Sequence, residues 1–175
     1  DITRSWPING KFTEAQKEIY QLVLDAQFAA IDECRVGRPY NAPHEAARRV
    51  LAEGLIELGV ITQELDDALD MENGQLKRWY MHNTGHWIGL DVHDVGIYKP
   101  NGEPRLLEEG MCLTVEPGLY FGAWRPDVKC PERYAVIGIR IEDDILVTSK
   151  GPDVLTKDCP KTISDLESLI GKDFE

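Results

Sequence analysis

The apolar residues of this 175-residue chain change period part-way along, and that change limits the possible folds more than any other feature. From Thr13 to Gly59 they recur at helical spacing, whereas from Tyr80 onward they stand in short alternating runs broken by Gly and Pro. Thr13 followed by Gln16 is a capping-box pattern, and Ile19, Leu22, Val23, Ala26 and Ala30 continue it as one face of a helix predicted to reach Cys34. Pro43 opens a second predicted helix, with Ala47, Val50, Leu51, Leu55 and Leu58 on its apolar face and Gly59 at its end. A short acidic helix is predicted over 62–70 and a closing helix over 163–170. Strands are predicted over 111–116, 119–121, 136–142 and 145–148, and residues 1–6 read as the end of another, closed by Pro7 and an Asn9-Gly10 turn. Helices first and strands afterwards give an α+β arrangement.

The length suits one domain, and a hydrophobic content of 42% supplies a core without any staple. Lys and Arg number 19 against 31 Asp and Glu, a net charge of −12, so a surface that tracks nucleic-acid phosphates is excluded. No apolar run approaches the roughly 20 residues of a membrane span, and no signal peptide opens the chain. Cys34, Cys112, Cys130 and Cys159 form no CxxC pair, which points to free thiols and a cytoplasmic setting. The chain begins at Asp1, inside what reads as a strand, and is expected to be part of a longer polypeptide.

Three of the four histidines, His82, His86 and His93, fall in the stretch MHNTGHWIGLDVHD. Any one of them alone reads best as a satisfied surface or core imidazole. Three together, flanked by Gly85 and Gly89, point to a site. His82 and His86 have the spacing of the HExxH zinc helix, but Asn83 stands where its general-base Glu would be, and the glycines oppose a helix there. His44, in the first turn of the second helix, is expected to be solvated. Trp6, Trp79, Trp87 and Trp124 are expected to be core or pocket-wall aromatics, and the acidic stretch over 64–72 an exposed helix face.

Carboxylates supply the other half of a site. Alternation over 111–116 puts Cys112, Thr114 and Glu116 on one face, with Glu116 at the strand tip before Pro117-Gly118. Over 136–142, Ile137, Ile139 and Ile141 form an apolar face opposite Gly138, Arg140 and Glu142, a pattern that fits a solvated Arg140–Glu142 pair equally well. Asp1 and Thr3 share a face in the same way. If these polar faces converge, Asp1, Glu116 and Glu142 meet with one or more imidazoles, an arrangement that only a cation makes stable. Carboxylate-rich ligation favours hard or borderline divalent ions such as Mn(II), and bridging carboxylates favour two of them about 3.5–4 Å apart, generating a hydroxide nucleophile.

The blocks DITRSWPINGKFT, HNTGHWIGLDVHDVG, LTVEPGLY and IGIRIEDDILVT, in that order, resemble the pita-bread metallopeptidases (the creatinase/aminopeptidase fold). The branch they resemble most is the Xaa-Pro aminopeptidases, with the prolidases next. The resemblance implies metal ligation by Asp1, His86, Glu116 and Glu142, with Glu116 also the general base. It implies that His93 contacts the substrate peptide, that His82 lies near the proton-transfer path, and that Arg140 supports the site. The reaction implied is hydrolysis of the bond between an N-terminal residue and a following proline, with two Mn(II) ions. The family's first metal-binding aspartate lies upstream of the position that Asp1 matches. Residues 1–175 are therefore expected to form a C-terminal catalytic domain without its first hairpin or the parent's N-terminal domain, weakly active at best alone, the parent being a homo-oligomer. Two alternatives stand beside this one: a prolidase restricted to X-Pro dipeptides, and an inactive pita-bread module that binds peptides.

Overall fold

A computed structural model describes residues 1–122 and 129–171. Four α-helices occur among them: α1 Glu14–Asp32, α2 Ala42–Glu57, α3 Leu65–Ala68 and α4 Ile163–Leu169. The strands are β1 Cys112–Val115, β2 Gly118–Tyr120, β3 Gly138–Arg140, β4 Asp143–Thr148 and β5 Gly151–Val154. The α+β arrangement expected from the change of period is the one found.

Helix α1 starts where its capping box places it. Thr13 Oγ1 accepts from the Gln16 backbone N–H at 3.3 Å, and Gln16 Oε1 accepts from the Thr13 N–H at 2.9 Å. Its inner face buries Ile19, Val23, Ala26 and Ala30, and packs on Ala47, Leu51 and Leu55 of α2. The two helices come very close at Gly54, where a Cβ would lie 2.3 Å from Leu22 Cδ1. The same face of α1 lies across the strands, so the core sits between the helices and Leu113, Val115, Leu119, Ile139, Ile141, Ile145 and Val147.

The strands make two antiparallel sheets, one in the order β1-β4-β5 and one of β2 with β3. Leu113 pairs with Ile145, and Leu119 with Ile139. Strand β5 was not among the expected strands; as the outermost strand, it tolerates Pro152, a residue without an N–H. The predicted 136–142 strand shortens to β3, since Val136 turns with φ +65° and Pro117, opposite Ile141, accepts its N–H but has none to return.

Residues 1–6 form no regular strand but touch the sheet through a single bridge between Thr3 and Glu142. Side chains replace the missing ladder. Ser5 Oγ accepts from the Arg140 N–H and donates to its carbonyl, each at 3.1 Å. The Arg4 guanidinium bonds the carbonyls of Thr3, Glu142, Cys159 and Pro160 and forms a 2.7 Å ion pair with Asp143. Burial alone would raise the Asp143 carboxyl, but bonds from Lys161, Thr156 and Arg4 hold it below the usual carboxylate range.

All four cysteines are free thiols, as expected. Among the described residues, no helix is long and apolar enough to cross a membrane. Of the four tryptophans, Trp79 and Trp87 are buried, and Trp79 stacks on Phe121 at 4.9 Å. Trp6, 50% exposed, walls a cavity of about 130 Å³ with Phe12 and Ile139, while Trp124 lies outside the described residues.

Candidate metal centre

Segment 84–88 lies along β1 and carries the first ligand candidate. Glu116 N donates to Thr84 O at 2.7 Å, Thr114 N to His86 O at 3.0 Å, and His86 N to Thr114 Oγ1 at 3.1 Å. This close approach requires glycine at position 85, where a Cβ would fall 2.0 Å from Thr114 O. Nδ1 of His86 lies 3.0 Å from the Trp87 carbonyl oxygen. A carbonyl can only accept, so Nδ1 carries the proton and Nε2 keeps its lone pair. That free nitrogen lies 3.6 Å from Asp1 Oδ2 and 3.5 Å from Glu116 Oε1.

The carboxylates arrive from three other directions. Glu142 stands just before β4 and is 2% exposed; the Thr3 hydroxyl donates to its Oε2. A solvated Arg140–Glu142 pair is therefore ruled out: Glu142 is buried, and Arg140 reaches Glu116 at 3.6 Å instead. Asp1, His86 and Glu142 bring one donor atom each to within 4.8 Å of one another. Glu116 flanks this trio at the end of β1, its Oε1 accepting from Thr114 Oγ1 at 3.4 Å. Burial, and next the charge of Glu142, push the Glu116 carboxyl above its usual range, although Arg140 and His86 act the other way. One lone-pair imidazole nitrogen amid converging carboxylates is a donor set that fits a divalent cation.

The remaining predicted residues lie beside this cluster. The His93 ring meets His86 edge-on at a centroid distance of 4.3 Å and is otherwise exposed. His82 Nδ1 donates to Asn83 O at 2.7 Å, so its Nε2 accepts from Tyr120 O–H at 2.7 Å. Arg140 Nε donates to the same Tyr120 oxygen at 2.9 Å. Burial lowers the pKa of His82 and raises that of Tyr120, so both rings are neutral and the donor order runs from Arg140 through Tyr120 to His82.

Three side chains of this neighbourhood were not singled out as site residues. Thr3 and Thr114 each donate to a carboxylate of the cluster, and Tyr120 joins two predicted residues. The first two share strand faces with Asp1 and Glu116, and Tyr120 closes the LTVEPGLY block, so a signal for each was present. His44 corrects an expectation. Far from being solvated, it is half-buried, with Nδ1 2.8 Å from Thr84 Oγ1 and its ring 5.7 Å from that of Tyr80. With Asn41, Thr84, His86 and Tyr98 it lines a cavity of about 510 Å³.

The model of metallopeptidase family M24 matches residues 1–149. The Xaa-Pro aminopeptidase of Haemophilus influenzae is 44% identical over 170 residues, which are 97% of this chain and 38% of that protein. Aminopeptidase PepP of Pseudomonas aeruginosa superposes with a TM-score of 0.91 at 47% identity, over 97% of this chain and 38% of that one. A zinc-substituted Escherichia coli aminopeptidase P in complex with product gives 0.88 at 42%, over 97% and 37%. The chain thus spans under two fifths of the length of the relatives it matches.

Proposed function

The chain belongs to metallopeptidase family M24, and on that footing we propose that residues 1–175 are part of the catalytic domain of a metal-dependent aminopeptidase that cleaves after an N-terminal residue followed by proline. Its α+β architecture is the pita-bread fold of the aminopeptidases P. The observation that carries the reading is the meeting of Asp1, His86 and the buried Glu142, with Glu116 beside them.

In this reading Asp1, His86, Glu116 and Glu142 hold two divalent ions, Mn(II) by the hardness of the donors. When bound, such ions supply Lewis acidity that activates water and polarises the scissile carbonyl. The chain's own groups do the rest. His86 presents Nε2 because the Trp87 carbonyl holds the proton on Nδ1. Glu116, its carboxyl raised by burial and by Glu142, takes the proton of the attacking water and passes it to the leaving nitrogen. His93 contacts the substrate peptide from the exposed side of His86. Tyr120, itself held by Arg140, fixes the His82 ring through its Nε2. An X-Pro imide has no N–H to bind, so selection rests on the shape of these rings around the pyrrolidine.

Two substrates test the reading. Mn(II)-loaded protein, in the full polypeptide, should release arginine from Arg-Pro-Pro faster than glycine from Gly-Pro. The reverse preference would make it a prolidase, and no hydrolysis of either would leave a peptide-binding module.

A further inference from the structure

Glu142 and Asp143 are neighbours in sequence, so their side chains leave the backbone on opposite faces. Glu142 faces the cluster, while Asp143, fully buried, faces α1. The same holds for residues 1–4: Asp1 and Thr3 point at the cluster and Arg4 points away from it. The two backs are joined. Arg4 Nη2 meets Asp143 Oδ1 at 2.7 Å, and Arg4 Nη1 donates to the Glu142 carbonyl at 2.6 Å and to the Thr3 carbonyl at 3.0 Å. One planar fork thus ties both ligand-bearing segments together.

The rest of the arrangement comes from residues 156–161, beyond the 1–149 covered by the family match. Lys161 Nζ reaches Asp143 Oδ2 at 2.7 Å and Gln27 Oε1 at 2.8 Å, and Thr156 Oγ1 donates to Asp143 Oδ1 at 2.6 Å. The carbonyls of Cys159 and Pro160 take the two remaining Arg4 bonds, each at 2.9 Å. Gln27 Nε2 supplies the last donor to Asp143, at 3.0 Å. Both oxygens of Asp143 are saturated, and two cations stand behind a cluster of three carboxylates.

We propose that Arg4, Asp143 and Lys161 form a latch that sets the separation of Asp1 from Glu142, so that residues 156–161 control metal affinity without touching the metal. The inference deepens the metal-centre reading and rests on it. Its members are positioning residues. Partners that orient metal ligands typically change affinity by about 10–100-fold when removed.

The test measures Mn(II) affinity from the free-ion EPR signal, alongside urea unfolding of the chelated protein, in Lys161→Met, Lys161→Arg, Thr156→Val and Glu142→Gln. Lys161→Met should bind Mn(II) about 10–100-fold more weakly, Lys161→Arg should recover most of the loss, and Thr156→Val should weaken binding by a smaller factor. A latch that served only to stabilise the fold would lower the urea midpoint and leave the Mn(II) affinity of the folded protein unchanged; that result overturns the inference. If Lys161→Met does not fold, Thr156→Val decides alone. Glu142→Gln separates the two levels. Unchanged Mn(II) binding in that variant refutes the metal centre itself, and the latch with it, whereas lost binding there with native affinity in the Lys161 and Thr156 variants refutes the latch only.

Discussion

Acid should destabilise this fold through His44 in a way that can be isolated. The ring is held between Tyr80 and Thr84, and burial, with smaller contributions from Arg48 and His82, lowers its pKa from 6.5 to about 4. Between those two values the unfolded chain binds a proton that the folded chain does not. Stability therefore rises with pH across the window and falls on acidification, by about 1.4 kcal/mol per pH unit. The full loss is about 3 kcal/mol, starting below pH 6.5 and complete by about pH 4. Urea unfolding of chelated protein, followed by far-UV circular dichroism at pH 7.5, 6.0, 5.0 and 4.5, measures it against His44→Asn, whose amide keeps a partner for Thr84. Asp143 and Glu18, whose carboxyls are also held low, lose their contributions equally in both proteins. Between pH 7.5 and 4.5 the native protein should lose about 2–3 kcal/mol more than the variant. Parallel curves would refute the assignment of a buried neutral imidazole.

Two further perturbations address the site. Glu116→Gln keeps the size and the bond from Thr114 but removes the base, so kcat should fall about 10²–10⁴-fold with the circular dichroism spectrum unchanged; a loss below tenfold would take the general-base role away. Gly85→Ala puts a methyl 2.0 Å from Thr114 O, and neither backbone can yield without parting segment 84–88 from β1. It should cost about 1–3 kcal/mol in urea unfolding and weaken Mn(II) binding, while native values of both would show that the approach of the two segments is not needed.

The parts of the fold that rest on local chemistry were legible in the sequence. The Thr13/Gln16 capping box and the apolar spacing of α1 and α2 need only neighbours a turn away, and both helices lie within a few residues of their expected ends. Strand alternation placed Thr114 and Glu116 together, and Glu142 on a face with Arg140, but could not say which strand faced which. Whether Glu142 was solvated depended on Thr3, 139 residues away. His44 was misjudged for the same reason: a first-turn histidine reads as solvated until Tyr80 and Thr84 close over it. Arg4 carried no signal at all, because one extended arginine among polar neighbours looks exposed, and its five acceptors come from three separate points in the chain. Strand β5 was not expected, and Pro152 fits it only because the strand lies at an edge.

The central claim is that Asp1, His86, Glu116 and Glu142 jointly hold metal. Crystals grown with Mn(II) and measured at the manganese absorption edge test it most directly. The account predicts anomalous difference density at bonding distance from all four side chains, bounded on one side by His86 Nε2. Density held by other residues, or none at saturating Mn(II), would contradict it.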